Sequence, residues 1–425
     1  MTRRRKRPNL FGWTLFGLVI LFGYYFNQVY LPSQPNPFEA TPTVTRSPES
    51  YVSEAGDLFK EGKLPQAIEA YQSAINASPQ DPVLYIALAR VQVWAGQYEE
   101  AQANAENAIL LSPESSMAHA VRAWALDFQD GKNGDALEEI QKALDLDDRN
   151  ALAHAYNVEI LVDSNLFDNY AKAAEESKVA LGLDPNLLEA HRARGYILST
   201  LGTEGNNYEL AIQEYRQAIQ LNPKLAVLHI ELGQNLRLLQ VYEDAIKEFT
   251  LANTLNPPDP EPDYLISRTY ATQGDYAKAL QYAETAVKDN PTDARWRGNY
   301  GVMLYRNFDY EKALAQFSLA INGGKNDAGQ EVRSLALTND QRVTEYYFTY
   351  GLALAHMNQC GQALKISQQL QTVASGDETV MEAANKIVEI CQENLNNPAV
   401  DTSTPGAEET PVTETETPAA PTPTP

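Results

Sequence analysis

The stretch AIQEYRQAIQLNP, residues 211–223, recurs down most of this chain with its exposed positions changed. Ala211, Tyr215, Ala218 and Pro223 are the positions that recur. The first three lie on one face of a helix, where alanine lets a neighbouring helix approach closely and the aromatic ring fills the space between them. Proline ends the helix because it lacks an N–H and clashes with the preceding turn. The stretch therefore predicts a packing unit rather than a catalytic motif.

Nine copies of this unit follow one another along the chain. Their first positions are Ala67, Ala101, Ala136, Ala173, Ala211, Ala245, Ala279, Ala313 and Ala363. Successive copies are 34 to 38 residues apart, except that 50 residues precede the last. In front of each copy lies a further helical stretch, such as AVLHIELGQNLRLLQ, residues 226–240, joined to it by a short turn. A period of this length indicates an array of helix-turn-helix repeats.

On these residues the chain resembles the tetratricopeptide repeat (TPR) family, whose 34-residue unit has a small residue in its first helix and Ala, Phe or Tyr, Ala and Pro in its second. The small position here holds Gly195, Gly233, Gly301, Gly351, Ala55, Ala89 and Ala123. The resemblance implies an all-α fold, a right-handed α-solenoid of about nine TPR repeats over residues 48–375. Residues 323–343, before the last repeat, are an insertion, interpreted as a local excursion or a functional loop. Residues 376–396 are expected to form a C-terminal capping helix.

A membrane anchor is expected before the array. Residues 1–9 are basic, and residues 10–30 lie in a window without charge that is long enough to span a bilayer as one transmembrane helix. Aromatic residues near both ends, and the absence of a small-residue cleavage site, favour an anchor over a signal peptide. The basic side then stays cytoplasmic and the TPR region lies outside. With the Pro/Thr-rich linker 31–47, the arrangement resembles membrane-anchored bacterial TPR proteins.

Composition and motifs argue against several classes of function. The 425 residues carry a formal net charge of −23, so nucleic acid is not an expected partner. Nucleotide-binding, metalloprotease and serine-hydrolase motifs are missing from the sequence, and the repeats leave no stretch of domain length for catalysis. We expect no enzymatic activity, no cofactor and no small-molecule substrate. The tail, residues 397–425, is rich in Thr, Pro and Glu and is expected to be disordered.

Histidine and cysteine each offer a candidate site. His119, His154, His191 and His229 take the fourth position of consecutive first helices. We expect packing rather than metal binding, because an intervening helix keeps neighbours about 8–10 Å apart whereas zinc needs nitrogens at about 2 Å. Cys360 and Cys391 are a candidate disulfide if the region is extracytoplasmic, and otherwise two buried thiols.

The resemblance also implies a binding surface, because the first helices of TPR proteins line a concave groove that holds a partner's peptide or helix. Arginine and tyrosine recur at the groove positions. The candidate partner-binding residues are Arg90, Arg192, Tyr196, Gln234, Arg237, Tyr264, Arg268, Arg295, Tyr305 and Arg306. Such a strip would select an acidic ligand. Alternatively, the arginines pair with acids inside the solenoid.

The expected function is therefore a membrane-anchored scaffold or adaptor that binds a protein or peptide partner outside the cytoplasm. Three alternatives stay open: a cytosol-facing transport or import receptor, a module that binds cell-wall glycans through Tyr196, Tyr264 and Tyr305, and a self-associating module. Some cytosolic TPR proteins clamp a terminal carboxylate with Lys and Asn at fixed positions of successive first helices. Those positions here hold residues such as Ile86 and Ala120, so recognition of chaperone tails is not expected.

Overall fold

The computed structural model describes residues 10–26, 46–202 and 204–396, and its described repeat region consists of nine helix pairs. The first helices are α2 (Pro48–Lys60), α4 (Pro82–Trp94), α6 (Ser116–Asp127), α8 (Ala151–Asp163), α10 (Leu188–Leu201), α12 (Ala226–Leu238), α14 (Glu261–Thr272), α16 (Ala294–Arg306) and α18 (Gln341–His356). The second helices are α3 (Leu64–Ala77), α5 (Tyr98–Leu111), α7 (Asn133–Leu146), α9 (Phe167–Leu183), α11 (Asn207–Leu221), α13 (Tyr242–Leu255), α15 (Tyr276–Asp289), α17 (Tyr310–Asn322) and α19 (Cys360–Val373). A 3₁₀ turn, Glu204–Asn206, precedes α11, and α20 (Glu378–Asn396) packs on the last pair. The predicted all-α repeat array is confirmed.

The N-terminal helix is shorter than the predicted membrane span. It is α1 (Leu10–Tyr25), with 16 residues, whereas the prediction covered residues 10–30. No helix within the described ranges is both long enough and apolar enough to cross a membrane. Residues 27–30 of the predicted span lie outside the described residues, as do the basic terminus 1–9, most of the linker 31–47 and the tail 397–425.

The repeated alanines form the core of the array. All nine first-position alanines are completely buried. In the copy that begins at Ala211, Tyr215 is 1% exposed and Ala218 is buried. The helix ends at Leu221, two residues before Pro223. The recurring stretch is therefore a packing unit, as predicted.

Glycine in a first helix makes room for the aromatic ring of the second. A Cβ atom on Gly233 would lie 2.5 Å from the Phe249 ring, and one on Gly195 would lie 2.9 Å from the Tyr215 ring. Real Cβ atoms do not approach carbon so closely, so a larger residue would push the two helices apart. The glycine of the first helix is thus required for the close contact with the aromatic ring of the second.

We expect Gly233→Ala to lower the free energy of unfolding by about 1–3 kcal/mol, because the added methyl group overpacks the contact with Phe249. The matched control is Gly56→Ala in α2, where an added Cβ meets no atom within 4 Å. Removing a helix-interior glycine there should stabilise the protein by about 0.5–1 kcal/mol. Urea unfolding followed by circular dichroism measures both changes. Equal unfolding midpoints for the two variants would contradict the close packing.

The insertion before the last repeat is a short hairpin that packs against its neighbours. Strands β1 (Gly324–Lys325) and β2 (Glu331–Val332) pair antiparallel, with Gly324 opposite Val332. Val332 is buried in a cluster with two alanines of the eighth pair, and Leu335 O accepts a hydrogen bond from the Tyr347 hydroxyl at 2.8 Å.

The insertion also ends earlier than predicted. The sequence predicts an insertion that ends at residue 343, whereas α18 begins at Gln341. The reason is the helix cap: one Asp340 side-chain oxygen accepts from the backbone N–H groups of Arg342 and Val343. Arg342 therefore belongs to a first helix.

The first six pairs close into one turn, in which pairs one and two touch pairs five and six. The Asn222 side-chain amide donates to Phe59 O at 3.1 Å, although the two residues are 163 positions apart. Phe59, Leu64 and Trp94 pack in one apolar cluster with three leucines of the fifth and sixth pairs, Leu188, Leu225 and Leu228. This contact divides the concave surface into a closed N-terminal half and an open C-terminal half.

Candidate functional site

An ion-pair network fills the closed half of the predicted groove. Arg90 of α4 donates through Nε to Glu189 Oε1 of α10 at 2.7 Å, across 99 residues of sequence. The Trp94 indole N–H donates to the same oxygen at 3.4 Å. Burial alone would lower the pKa of Arg90, but the adjacent Glu189 carboxylate raises it above the ordinary value. The pair therefore ties the second repeat to the fifth.

Arg192 lies at the centre of this network. Its guanidinium donates to both oxygens of Glu159 at 2.7 Å and to Glu231 at 2.8 Å, and its carbon lies 5.2 Å from the Trp94 ring centroid. Arg192 is only 8% exposed. One cation faces two carboxylates, and burial raises the pKa of Glu231 to about 7. Arg90 and Arg192 thus follow the alternative in which groove arginines pair inside the solenoid.

Tyr196 belongs to the same closed half. Its hydroxyl donates to Asp163, and Asp163 lies beside Asp127. Asp127 accepts from the Asn133 side chain at 2.7 Å through one oxygen, while its other oxygen is buried with no hydrogen-bond partner in the described structure. Burial, and then the charge of Asp163, raise the pKa of Asp127 to about 8. This carboxyl therefore holds its proton to a higher pH than an ordinary aspartate does.

The raised pKa makes the stability contribution of Asp127 depend on pH. The folded protein keeps a proton that the unfolded chain releases above about pH 4, so this contribution is lost as pH rises from about 4 to 8. We expect Asp127→Asn to remove the dependence, raising the free energy of unfolding relative to the unmodified protein by at least about 1 kcal/mol more at pH 8 than at pH 5. The control is Asp130→Asn, at an exposed position in the turn that follows α6. The same pH profile for both variants would contradict the assignment.

The open half contains a cavity of about 650 Å³ between α12, α14, α16, α18 and the start of α20. Four arginines line it: Arg237, Arg268, Arg306 and Arg342. The carboxylates of its lining are Glu261, Glu345 and Asp377, so the lining has one more positive group than negative, four against three. In a chain with a net charge of −23, this is an unusually basic surface.

Arg237 is the arginine of this cavity with the clearest unsatisfied hydrogen-bonding capacity. Its Nε is buried and has no hydrogen-bond partner in the described structure. Burial, and then the positive charge of Arg268, lower its pKa. Arg268 donates to Glu345 at 2.7 Å. An anion beside Arg237 would therefore supply a missing acceptor and reduce the repulsion between the two cations.

The two remaining arginines of the cavity lie against aromatic rings. Arg342 is 5.9 Å from the centroid of Tyr264 and Arg306 is 6.0 Å from that of Tyr276. Within the described ranges, neither arginine forms an ion pair, nor does Arg237. Arg342 also makes a side-chain hydrogen bond to Tyr264. The other N–H groups of these guanidinium side chains are able to donate to a ligand.

The structure brings together only part of the predicted binding strip. Gln234, Arg237, Tyr264, Arg268 and Arg306 line the open cavity. The remaining candidates lie elsewhere: Arg90, Arg192 and Tyr196 belong to the closed half, Arg295 pairs with Asp293 at 2.6 Å, and Tyr305 packs near Tyr310 and His356. Several lining residues lie outside the predicted strip, among them Arg342 and Glu345, which are both on α18. The signal that could have found them is Asp340, a helix-capping residue just before a helical pattern.

The four aligned histidines tie each first helix to its surroundings. His191 Nδ1 lies 2.7 Å from Glu214 of the second helix, and Nε2 lies 3.0 Å from Pro185 O in the preceding turn. The same arrangement recurs at the other three, His119, His154 and His229. Hydrogen bonding to Glu176 raises the pKa of His154, and hydrogen bonding to Glu214 raises that of His191. These rings hydrogen-bond each of the four first helices to its second helix and to the preceding turn.

Cys360 and Cys391 form a disulfide in the structure, with their Cα atoms 5.5 Å apart. The bond joins the start of α19 to α20. It fastens the C-terminal helix, whose first turn borders the open cavity, to the last repeat.

Three family models match the chain. The description "tetratricopeptide repeat" applies to residues 58–125 and 264–331, and "TPR repeat" to residues 203–240. These matches support the TPR repeat family for the array. The repeats indicate a scaffold for protein–protein interaction.

Curated relatives share the repeats at low identity. An Hsp70-Hsp90 organizing protein of Triticum aestivum is 22% identical over 45% of this chain and 38% of its own length. A protein O-mannosyl-transferase of Homo sapiens is 29% identical over 42% and 20%, and a TPR repeat-containing protein of Methanocaldococcus jannaschii is 24% identical over 60% and 45%. The match thus spans less than half of each of these relatives. A solved structure of the APC/C hetero-tetramer Cut9-Hcn1 gives a TM-score of 0.47 at 16% identity, covering 60% of this chain and 49% of that one.

Proposed function

We propose that this chain is a non-catalytic, membrane-anchored scaffold whose open C-terminal groove binds a carboxylate-bearing segment of a protein partner. The observation that carries the proposal is the buried, unpartnered Nε of Arg237 in a cavity with three further arginines. Planar guanidinium forks suit carboxylates, and the neighbouring Tyr264 offers a flat surface for the peptide chain.

The closed half supports the same location by elimination. Its arginines already have carboxylate partners, and a ligand there would have to displace Glu159 or Glu189, which are almost completely buried. Removing one partner of a buried ion pair is costly because the other charge is left without compensation. A partner therefore binds more easily beside α12 and α18.

The repeats and the side chains at the clamp positions indicate the kind of partner. Two relatives are named Hsp70-Hsp90 organizing proteins, in Triticum aestivum and Glycine max, which agrees with binding of proteins rather than small molecules. The lysine and asparagine clamp for terminal carboxylates is missing from this sequence, so side-chain carboxylates of an internal acidic segment fit better.

Membrane anchoring through residues 10–30, with the array outside the cytoplasm, remains part of the proposal. Its support is the uncharged window and the basic residues before it. Release of the full chain from membranes by alkaline carbonate would contradict the anchor.

The binding proposal predicts a charge-reversal effect. In the full chain, Arg237→Glu should weaken binding of a fluorescent octaglutamate peptide at least tenfold, because it replaces an attractive contact with a repulsive one. Fluorescence anisotropy at two salt concentrations measures the effect, and the affinity should fall as salt rises.

Arg216→Glu is the matched control. Arg216 is exposed on a second helix, and its substitution changes the net charge by the same amount. Arg192→Glu is unsuitable, because it would place a third carboxylate against Glu159 and Glu231 and destabilise the closed half. Equal weakening by Arg237→Glu and Arg216→Glu would show that the groove is not the binding site.

A further inference from the structure

We propose that the chain supplies an occupant for its own open groove: the acidic segment 397–425, which would bind in cis and compete with the partner. This inference rests on the proposed function, since it assigns a regulator to the same arginines. Three observations support it: the charge of the segment, the distance that the segment can span, and the position of α20 at the border of the cavity.

The segment matches the groove in charge. It contains five carboxylate side chains and no lysine or arginine, namely Asp401, Glu408, Glu409, Glu414 and Glu416. The groove offers three arginines without an ion pair within the described ranges, whereas the chain as a whole is strongly acidic. A polyanionic segment is attracted to the arginines of this lining, whereas the net acidic charge of the chain disfavours its contact with acidic surface.

The segment also begins close enough to reach. Asp377, Thr379 and Val380, at the start of α20, line the cavity. The helix has 19 residues, so its far end lies roughly 28 Å from that border at about 1.5 Å per residue. Glu408 is twelve positions after Asn396, and an extended chain of that length spans up to about 40 Å. Glu408 and every acidic residue after it can therefore reach the border of the cavity that Arg237 lines.

Tethering makes weak charge contacts effective. A segment joined to its site by a short linker has an effective concentration on the order of millimolar, so a partner must exceed it in affinity or in local concentration. The acidic segment would thus outcompete weakly acidic chains for these arginines, whereas a ligand of higher affinity would displace it.

A comparison of two full-length chains tests this regulation. One is unmodified. In the other, all five carboxylates are replaced by amides, as Asp401→Asn, Glu408→Gln, Glu409→Gln, Glu414→Gln and Glu416→Gln. The probe is a fluorescent synthetic peptide with the sequence of residues 397–425. We expect it to bind the amide variant at least tenfold more tightly than the unmodified chain, and Arg237→Glu in the amide variant to abolish the gain.

The other outcomes are distinguishable. Equal, Arg237-dependent affinity for both chains would overturn the inference and leave the groove as a carboxylate site. No binding of this peptide or of octaglutamate to either chain would overturn both proposals. A difference that appears only at concentrations where sedimentation shows a dimer would assign the segment to a second copy and overturn binding in cis.

Discussion

The ion pairs of Arg90 and Arg192 with Glu159, Glu189 and Glu231 determine how the superhelix closes. They join α4 to α10 and α10 to its neighbours α8 and α12, with the Trp94 ring beside them. Charges so deeply placed are stable only when they are paired, because an isolated buried ion loses its hydration without compensation. The network therefore favours a single arrangement of the first six repeats over a series of slightly different curvatures.

The open half of the groove follows from the same geometry. Among the four arginines that line the open cavity, only Arg268 has a carboxylate partner within the described ranges, Glu345. The hairpin insertion packs on the eighth repeat and leads directly into α18, which brings Arg342 to the cavity. The chain thus uses one residue type for two purposes: arginine fixes the curvature in the first repeats and remains able to bind anions in the last.

Much of the fold could be predicted from the sequence, because its signals are local and repeat. The buried alanines, the small residue, glycine or alanine, of most first helices and the proline after six of the second helices report on contacts between neighbouring helices. The division of the groove could not be predicted. Whether Arg192 or Arg237 finds a carboxylate depends on the angle between repeats that are several units apart, and residues 99 positions apart give no local signal. The position of Arg342 could not be predicted for a different reason: the predicted insertion included the first residues of its helix.

The central claim is that the N-terminal half is closed by charge pairing across the superhelix. A double-mutant cycle with Arg90→Met and Glu189→Gln, read out as free energies of unfolding of the full chain, tests it most directly. The account predicts that the two substitutions together cost less than the sum of their separate effects, with a coupling of about 1–3 kcal/mol. Additivity within about 0.5 kcal/mol would show that the two side chains do not interact across the groove, and would contradict the closed N-terminal half.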